Sequence, residues 1–257
     1  MFENPVKQKL ANGEVVWGAA PVLPHPLAIQ LAVDSGADFI WIDTEHASFG
    51  VEALELTPAM IRAKGAMPMV RVSNLDQGLI KKALDVGAMA VMIPQIDNPA
   101  QAELAVRFAK YPPLGTRGVS PMWTFYNGVD WKQYLPAAND EIMVVVQVES
   151  VEALSQVELI AQVPGVDVVF AGPADLAAAM GHIGDTNHPK VQKFLADFPA
   201  RVSRYGKAAG ISVGGVEASS KAFQQGYRFI NFGNILWDGA NGLRANLAEL
   251  QKRTQND

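Results

Sequence analysis

Short apolar runs and amphipathic stretches alternate along this chain without interruption. Runs rich in β-branched and other apolar residues read as buried strands at Val15–Ala20, Phe39–Asp43, Met67–Arg71, Ala90–Pro94, Met143–Val148, Val166–Ala171, Ala208–Val213 and Phe229–Phe232. Between them, apolar residues recur at helical spacing over 26–35, 51–64, 77–86, 98–110, 150–162, 190–205 and 216–225, with a last helix over 235–253. Glycine stands just past a helix in DSGADF, DVGAMA, VPGVDV and QQGYRF, as expected at helix C-termini. Strict strand–helix alternation implies a parallel sheet. Eight repeats in 257 residues predict one closed (β/α)8 barrel, a TIM barrel, as a single domain over 1–257. An open doubly wound sheet is disfavoured because WGAAPVLPHP, after the first strand, is not a glycine-rich dinucleotide turn. One long irregular stretch, 111–141, departs from the pattern. Its Trp123, Phe125, Tyr126 and Trp131 argue against disorder there.

Composition narrows the function. Hydrophobic residues make up 49% of the chain, enough for a core without disulfides or structural metal. The chain has no cysteine, which excludes thiolate catalysis and zinc–thiolate sites and fits a cytoplasmic protein. A net charge of −5 and scattered lysines argue against nucleic acid as a partner. MFENPVKQKLANGE has no apolar signal core, and no stretch is long and apolar enough to predict a membrane span.

In a parallel barrel the reactive groups gather at the carboxyl ends of the strands. Glu149 in VVVQVES and Asp175 in VVFAGPADL fall there on neighbouring strands. As a pair they suggest a hard divalent cation; taken singly, each also reads as an ordinary helix start. Gln147 shares a strand face with Glu149 and should line the same cavity. Gly172-Pro173-Ala174 opens a helix whose free amides near Ala174 favour an anion. Arg71, at a strand end, suits a carboxylate or a developing oxyanion, or else a plain salt bridge. His46 is the histidine best placed for acid–base work, beside Asp43 and Glu45. Asp85 sits in the last turn of a helix, where a negative charge opposes the helix dipole, so a partner should hold it, with His46 a candidate. His25, His182 and His188 have no evident partner. No lysine lies inside a predicted strand, which disfavours Schiff-base chemistry.

The motifs IDTEHA, MVRVS, ALDVGA, YPPLGTRGV, VQVE and GPADL, in this order, resemble the HpcH/HpaI family of metal-dependent 2-oxo acid aldolases, from about Trp17 to Phe232. The resemblance implies a (β/α)8 fold and a homohexamer, a trimer of dimers that exchange the C-terminal helix. It implies that Glu149 and Asp175 bind Mg²⁺, Mn²⁺ or Co²⁺. Gln147 and the backbone at Ala174 would hold pyruvate, and Arg71 would stabilise the enolate and aldol oxyanion. His46 would be the acid–base residue, made more basic by Asp85. The implied reaction is reversible cleavage of a 4-hydroxy-2-oxo acid to pyruvate and an aldehyde. Alternatives are a citryl-CoA-type or phosphoenolpyruvate mutase-like enzyme and a catalytically silent homologue. No cluster of basic residues offers itself to the phosphates of coenzyme A. Family members acting on dicarboxylic semialdehydes tend to carry an arginine after RGV, where this chain has SPMWTFYNGVDWKQY. Trp123, Phe125 and Tyr126 are therefore expected to shape the aldehyde pocket for less charged acceptors, and Trp123→Ala to change aldehyde preference.

Overall fold

The computed structural model describes residues 3–48, 50 and 54–254, and of Tyr126 the backbone alone. Eight parallel strands close into a barrel in chain order. They are β1 Val16–Ala20, β2 Phe39–Asp43, β3 Met67–Arg71, β4 Ala90–Ile93, β5 Met143–Val148, β6 Val168–Ala171, β7 Ala208–Ser212 and β8 Phe229–Asn234. The helices are α1 Pro5–Ala11, α2 Pro26–Asp34, α3 Thr57–Ala63, α4 Gln77–Asp85, α5 Pro99–Ala109, α6 Trp123–Asn127, α7 Trp131–Glu141, α8 Val151–Gln162, α9 Pro173–Ala179, α10 Pro189–Ser203, α11 Gly215–Gln225 and α12 Ile235–Thr254. Residues 51–53 of the helix expected over 51–64 lie outside the described residues.

Local chemistry explains many of the helix starts. Asn4, Asp76, Asn98 and Ser150 each accept a backbone N–H of the first turn, and proline occupies the first turn of α1, α2, α3, α5, α9 and α10. Three helices were not expected at all. α1 carries little apolar periodicity and is held by Asn4, whose side chain donates to Met89 and Glu141 carbonyls. α6 and α7 structure the stretch 111–141: buried Arg117 pins α7 by donating to Tyr134 and Asp85, and Trp123 of α6 packs edge-on against Tyr134.

The barrel interior is recognisable from rings that meet across strands that are not hydrogen-bonded neighbours. Phe39 of β2 stacks on Phe229 of β8 at 4.1 Å, and Trp41 of β2 meets Phe170 of β6 edge-on at 5.5 Å. Gly18 is required by this filling: a Cβ there would lie 2.1 Å from the Phe39 ring. Side chains alternate along a strand, so Asp43, Arg71, Gln147 and Glu149 share the inward face with these rings, at the carboxyl-terminal mouth.

The helical shell is incomplete at one place. α12 buries none of its residues and exposes Leu236, Trp237, Leu243, Leu247 and Leu250. Beside it, Trp17, Ala19, Val216, Phe232 and Ile235 line an apolar hollow of about 570 Å³ along β1 and β8. No helix among the described residues is long and apolar enough to cross a membrane.

Candidate active site

The site is built on the mouth ends of β2, β3, β5 and β6. Asp43 and Arg71 are register partners at the ends of β2 and β3. The Arg71 Nε donates to Asp43 Oδ1 at 2.9 Å and Nη2 donates to Oδ2 at 2.6 Å, the two-point geometry a planar guanidinium favours. Asp43 Oδ1 also accepts the Glu45 N–H at 3.0 Å, a turn that brings the Glu45 carboxylate back over the barrel. Arg71 Nη1 then lies 2.9 Å from Glu45 Oε2, and it donates to Gln147 Oε1 at 3.4 Å. The Trp41 ring supports the guanidinium from below at 4.8 Å.

The network continues through Gln147. Its amide oxygen faces Arg71, so its Nε2 is turned to donate to Glu149 Oε2 at 2.7 Å. The other Glu149 oxygen accepts the Gln95 N–H at 2.9 Å. Gln95, just past β4, adopts φ +54, a left-handed backbone uncommon outside glycine. That conformation belongs to the turn that presents the amide to Glu149.

Glu149 is buried, and its pKa is pushed up to about 7 by burial and by the neighbouring Asp175 charge. Burial also raises Glu45, with Arg71 opposing and Asp175 adding to the rise. Asp175 stands exposed in the first turn of α9. Three carboxylates whose charges disfavour one another, with Arg71 already committed to Asp43 and Glu45, make a site that favours an added cation. The backbone leaves room for one to approach: at Gly172 a Cβ would come within 2.7 Å of Glu149 Oε2 and 2.9 Å of Gln147 Nε2. The oxygen donors suit a hard divalent ion. Among the described residues no group of three or more His, Asp or Glu is arranged to hold a metal, so two protein carboxylates would leave several positions to water and substrate.

A cavity of about 490 Å³ opens on this network. Arg71, Gln147, Gly172, Ala174, Asp175 and His46 line its barrel end. It continues over Ser212 and Val213 into the cleft between α10 and α11, where Gln192 and Lys221 stand. His46 is exposed, with Nε2 3.8 Å from Glu45 Oε1.

Other expected residues lie elsewhere. Asp85 is held by Arg117, whose Nη2 donates to Oδ1 at 2.7 Å, and burial raises its pKa. The partner demanded by its place at the end of α4 is thus an arginine from the 111–141 stretch, and no contact with His46 exists among the described residues. Trp123 is a core residue: Arg62 lies 4.0 Å above its ring, Tyr134 meets it edge-on at 5.1 Å, and it packs over Gly87. Phe125 is exposed and tilts against Trp131 at 5.8 Å. Neither lines the cavity, because the stretch folds into α6 and α7 on the outside of the barrel. The Tyr126 side chain is outside what the structure describes. His25 and His188 accept backbone N–H groups at the starts of α2 and α10. The His182 and His188 rings stack with centroids 3.4 Å apart.

Sequence reasoning gave Asp43, Glu45, Gln95 and Lys221 no site role. Two acids beside His46, one of them ending the strand next to that of Arg71, were the available signal for Asp43 and Glu45. Gln95 acts through its backbone, and the side-chain pattern carries no trace of that.

Known proteins give an independent comparison. The model of the HpcH/HpaI aldolase/citrate lyase family matches residues 22–236. A hydroxypyruvate/pyruvate aldolase of Pseudomonas aeruginosa is 38% identical over 90% of this chain and 86% of its own length. A 2-dehydro-3,6-dideoxy-6-sulfogluconate aldolase of Pseudomonas putida is 40% identical over 76% of each chain. The crystal structure of an HpcH/HpaI aldolase/citrate lyase family protein from Burkholderia cenocepacia J2315 superposes with a TM-score of 0.88 at 36% identity, covering 98% of this chain and 99% of the other.

Proposed function

The chain belongs to the HpcH/HpaI aldolase/citrate lyase family, and from that premise we propose that it is a divalent-metal-dependent aldolase cleaving 4-hydroxy-2-oxo acids reversibly to pyruvate and an aldehyde. The observation that carries this reading is Glu149, a buried carboxylate fixed by Gln95 and Gln147 and raised by the Asp175 charge. Relatives named as aldolases for hydroxypyruvate and pyruvate, for a sulfogluconate derivative and for 5-keto-4-deoxy-D-glucarate support the same class of reaction.

Glu149 and Asp175 would hold Mg²⁺, Mn²⁺ or Co²⁺, which supplies Lewis acidity at the 2-oxo group when bound. The other steps belong to the chain. The Gln147 amide and the Ala174 N–H hold the 2-oxo acid carboxylate beside Gly172, where no side chain obstructs it. Arg71 is locked by Asp43, so its guanidinium is oriented before substrate arrives, and Nη2 has a second N–H to offer an oxyanion. In the cleavage direction His46 takes the proton of the 4-hydroxyl. The C3–C4 bond then breaks, its electron pair passes into the enolate of pyruvate, and the aldehyde leaves. Protonation at C3 completes pyruvate. Glu45 Oε1, 3.8 Å from His46 Nε2, stands where it can orient the imidazole for this role.

The same reading includes a homo-oligomer in which α12 of a neighbour fills the apolar hollow along β1 and β8. The apolar residues that α12 leaves exposed and the incomplete helical shell support it.

The test is exhaustive chelation followed by metal replacement, with release of pyruvate from a 4-hydroxy-2-oxo acid as the readout. Loss on chelation and recovery with Mg²⁺, Mn²⁺ or Co²⁺ is expected. Unchanged activity in the chelated protein overturns the reading.

A further inference from the structure

The cavity lining includes two side chains of fixed positive charge, Arg71 and Lys221. The Arg71 charge is consumed by Asp43 and Glu45. Lys221 is in a different position. It stands on α11 at the end of the cavity away from the carboxylates, and its ammonium donates to Gln192 Oε1 at 2.7 Å. That partner is neutral, and no acidic partner is found for Lys221 among the described residues. The Gln192 amide is itself oriented, because its Nε2 donates to the Thr186 carbonyl at 2.9 Å. Thr186, Gln192 and Lys221 therefore form a fixed polar rim spanning the α9–α10 loop, α10 and α11. The ammonium has two further N–H groups to offer and one net charge to satisfy.

We infer that Lys221 is a specificity residue that recognises an acidic group at the far end of the aldehyde acceptor. Carboxylate and sulfonate share the chemistry required, a compact anion with several acceptor oxygens. The inference rests on the aldolase reading, in which the 2-oxo acid occupies the Glu149 end and the acceptor extends along the cavity towards Ser212 and Lys221. It also reverses the expectation drawn from the missing arginine in the 111–141 stretch, since a cation is present on a different element. The Gln192 brace limits the side-chain freedom that Lys221 would otherwise lose on binding.

The test compares 4-oxobutanoate with butanal, acceptors of equal chain length that differ in the terminal charge, each with pyruvate and the metal-loaded enzyme. In Lys221→Met, kcat/KM for 4-oxobutanoate should fall about fivefold, the scale of an exposed ion pair. The value for butanal and the KM for pyruvate should stay within about twofold. Lys221→Arg should restore most of the preference, and Lys221→Glu should depress 4-oxobutanoate further. Added salt should narrow the wild-type preference. Equal losses for both acceptors, or no loss for either, overturn the inference. A second arm is independent of turnover: succinate titrated into metal-free wild type and Lys221→Met, followed by nuclear magnetic resonance, should bind the variant more weakly. Equal succinate binding also overturns it. If wild type turns over neither aldehyde, the aldolase reading fails alone and the succinate arm still decides Lys221.

Discussion

Arg71 and Asp43 form a two-point ion pair across the β2–β3 register, with Nε 2.9 Å from Oδ1 and Nη2 2.6 Å from Oδ2. Arg71 is buried and Asp43 half-buried, so the fork holds the guanidinium in one orientation at the mouth of the barrel. Lysine cannot reproduce the fork. Arg71→Lys is expected to lower kcat by roughly a hundredfold or more, the loss typical of an oxyanion donor, with a smaller effect on pyruvate KM. Asp43→Asn keeps the shape but removes the charge that orients Arg71, and should cost roughly tenfold in kcat. Steady-state kinetics on both variants checks this; a larger loss in Asp43→Asn than in Arg71→Lys would show that Asp43 does more than position the arginine.

Glu149 ties cation binding to pH. Its pKa in the folded protein is raised from an ordinary value of 4.5 to about 7 by burial and Asp175. A raised carboxyl contributes stability that is complete below the ordinary value and lost as pH rises through about 7. The metal-free protein should accordingly lose thermal stability from about pH 5 to about pH 8. Adding Mg²⁺ or Mn²⁺ should restore it at the upper end, where the carboxylate is ionised. Below about pH 7 the cation must displace a proton, so its apparent affinity should fall by up to tenfold per pH unit. Thermal melts with and without cation, together with titrations across this window, measure both effects. A flat cation affinity between about pH 5 and pH 8 would count against Glu149 as a ligand.

Gly172 offers a cleaner steric probe, since it carries no charge. A Cβ there would stand 2.7 Å from Glu149 Oε2 and 2.9 Å from Gln147 Nε2, and both side chains are held by other partners. Gly172→Ala should weaken cation binding by roughly tenfold or more while changing global stability by about 1–2 kcal/mol. Calorimetric cation titration beside denaturant unfolding separates the two. Unaltered cation affinity in a folded variant would place the ion elsewhere.

Much of this was legible in the chain because it rests on period and place. All eight strands coincide with the apolar runs to within two residues at each end. Parallel βα alternation then puts Asp43, Arg71, Gln147 and Glu149 at one mouth whatever the details. What stayed hidden depends on contacts between distant segments. Arg117 and Asp85 are far apart in sequence, and the helix-end rule could demand a partner for Asp85 without naming it. The aromatic residues of 111–141 read as pocket residues because no period marks α6 and α7. The main-chain amide of Gln95 and the cation at Lys221 have no local signature at all.

Trp123 carries the sharpest divergence between the two readings. As an aldehyde-pocket residue its removal would change the choice among aldehydes; in the structure Trp123 is 2% exposed and packed against Arg62, Tyr134 and Gly87. Truncation would open a cavity and leave the Arg62 guanidinium without the ring beneath it. Trp123→Ala is therefore expected to lose about 3–5 kcal/mol of unfolding free energy, read from denaturant midpoints at constant slope. The ratio of kcat/KM values for butanal and 4-oxobutanoate should stay within about twofold of wild type at a temperature where the variant is folded. Trp123→Phe should recover most of the stability. A changed ratio with little loss of stability would return Trp123 to the acceptor pocket.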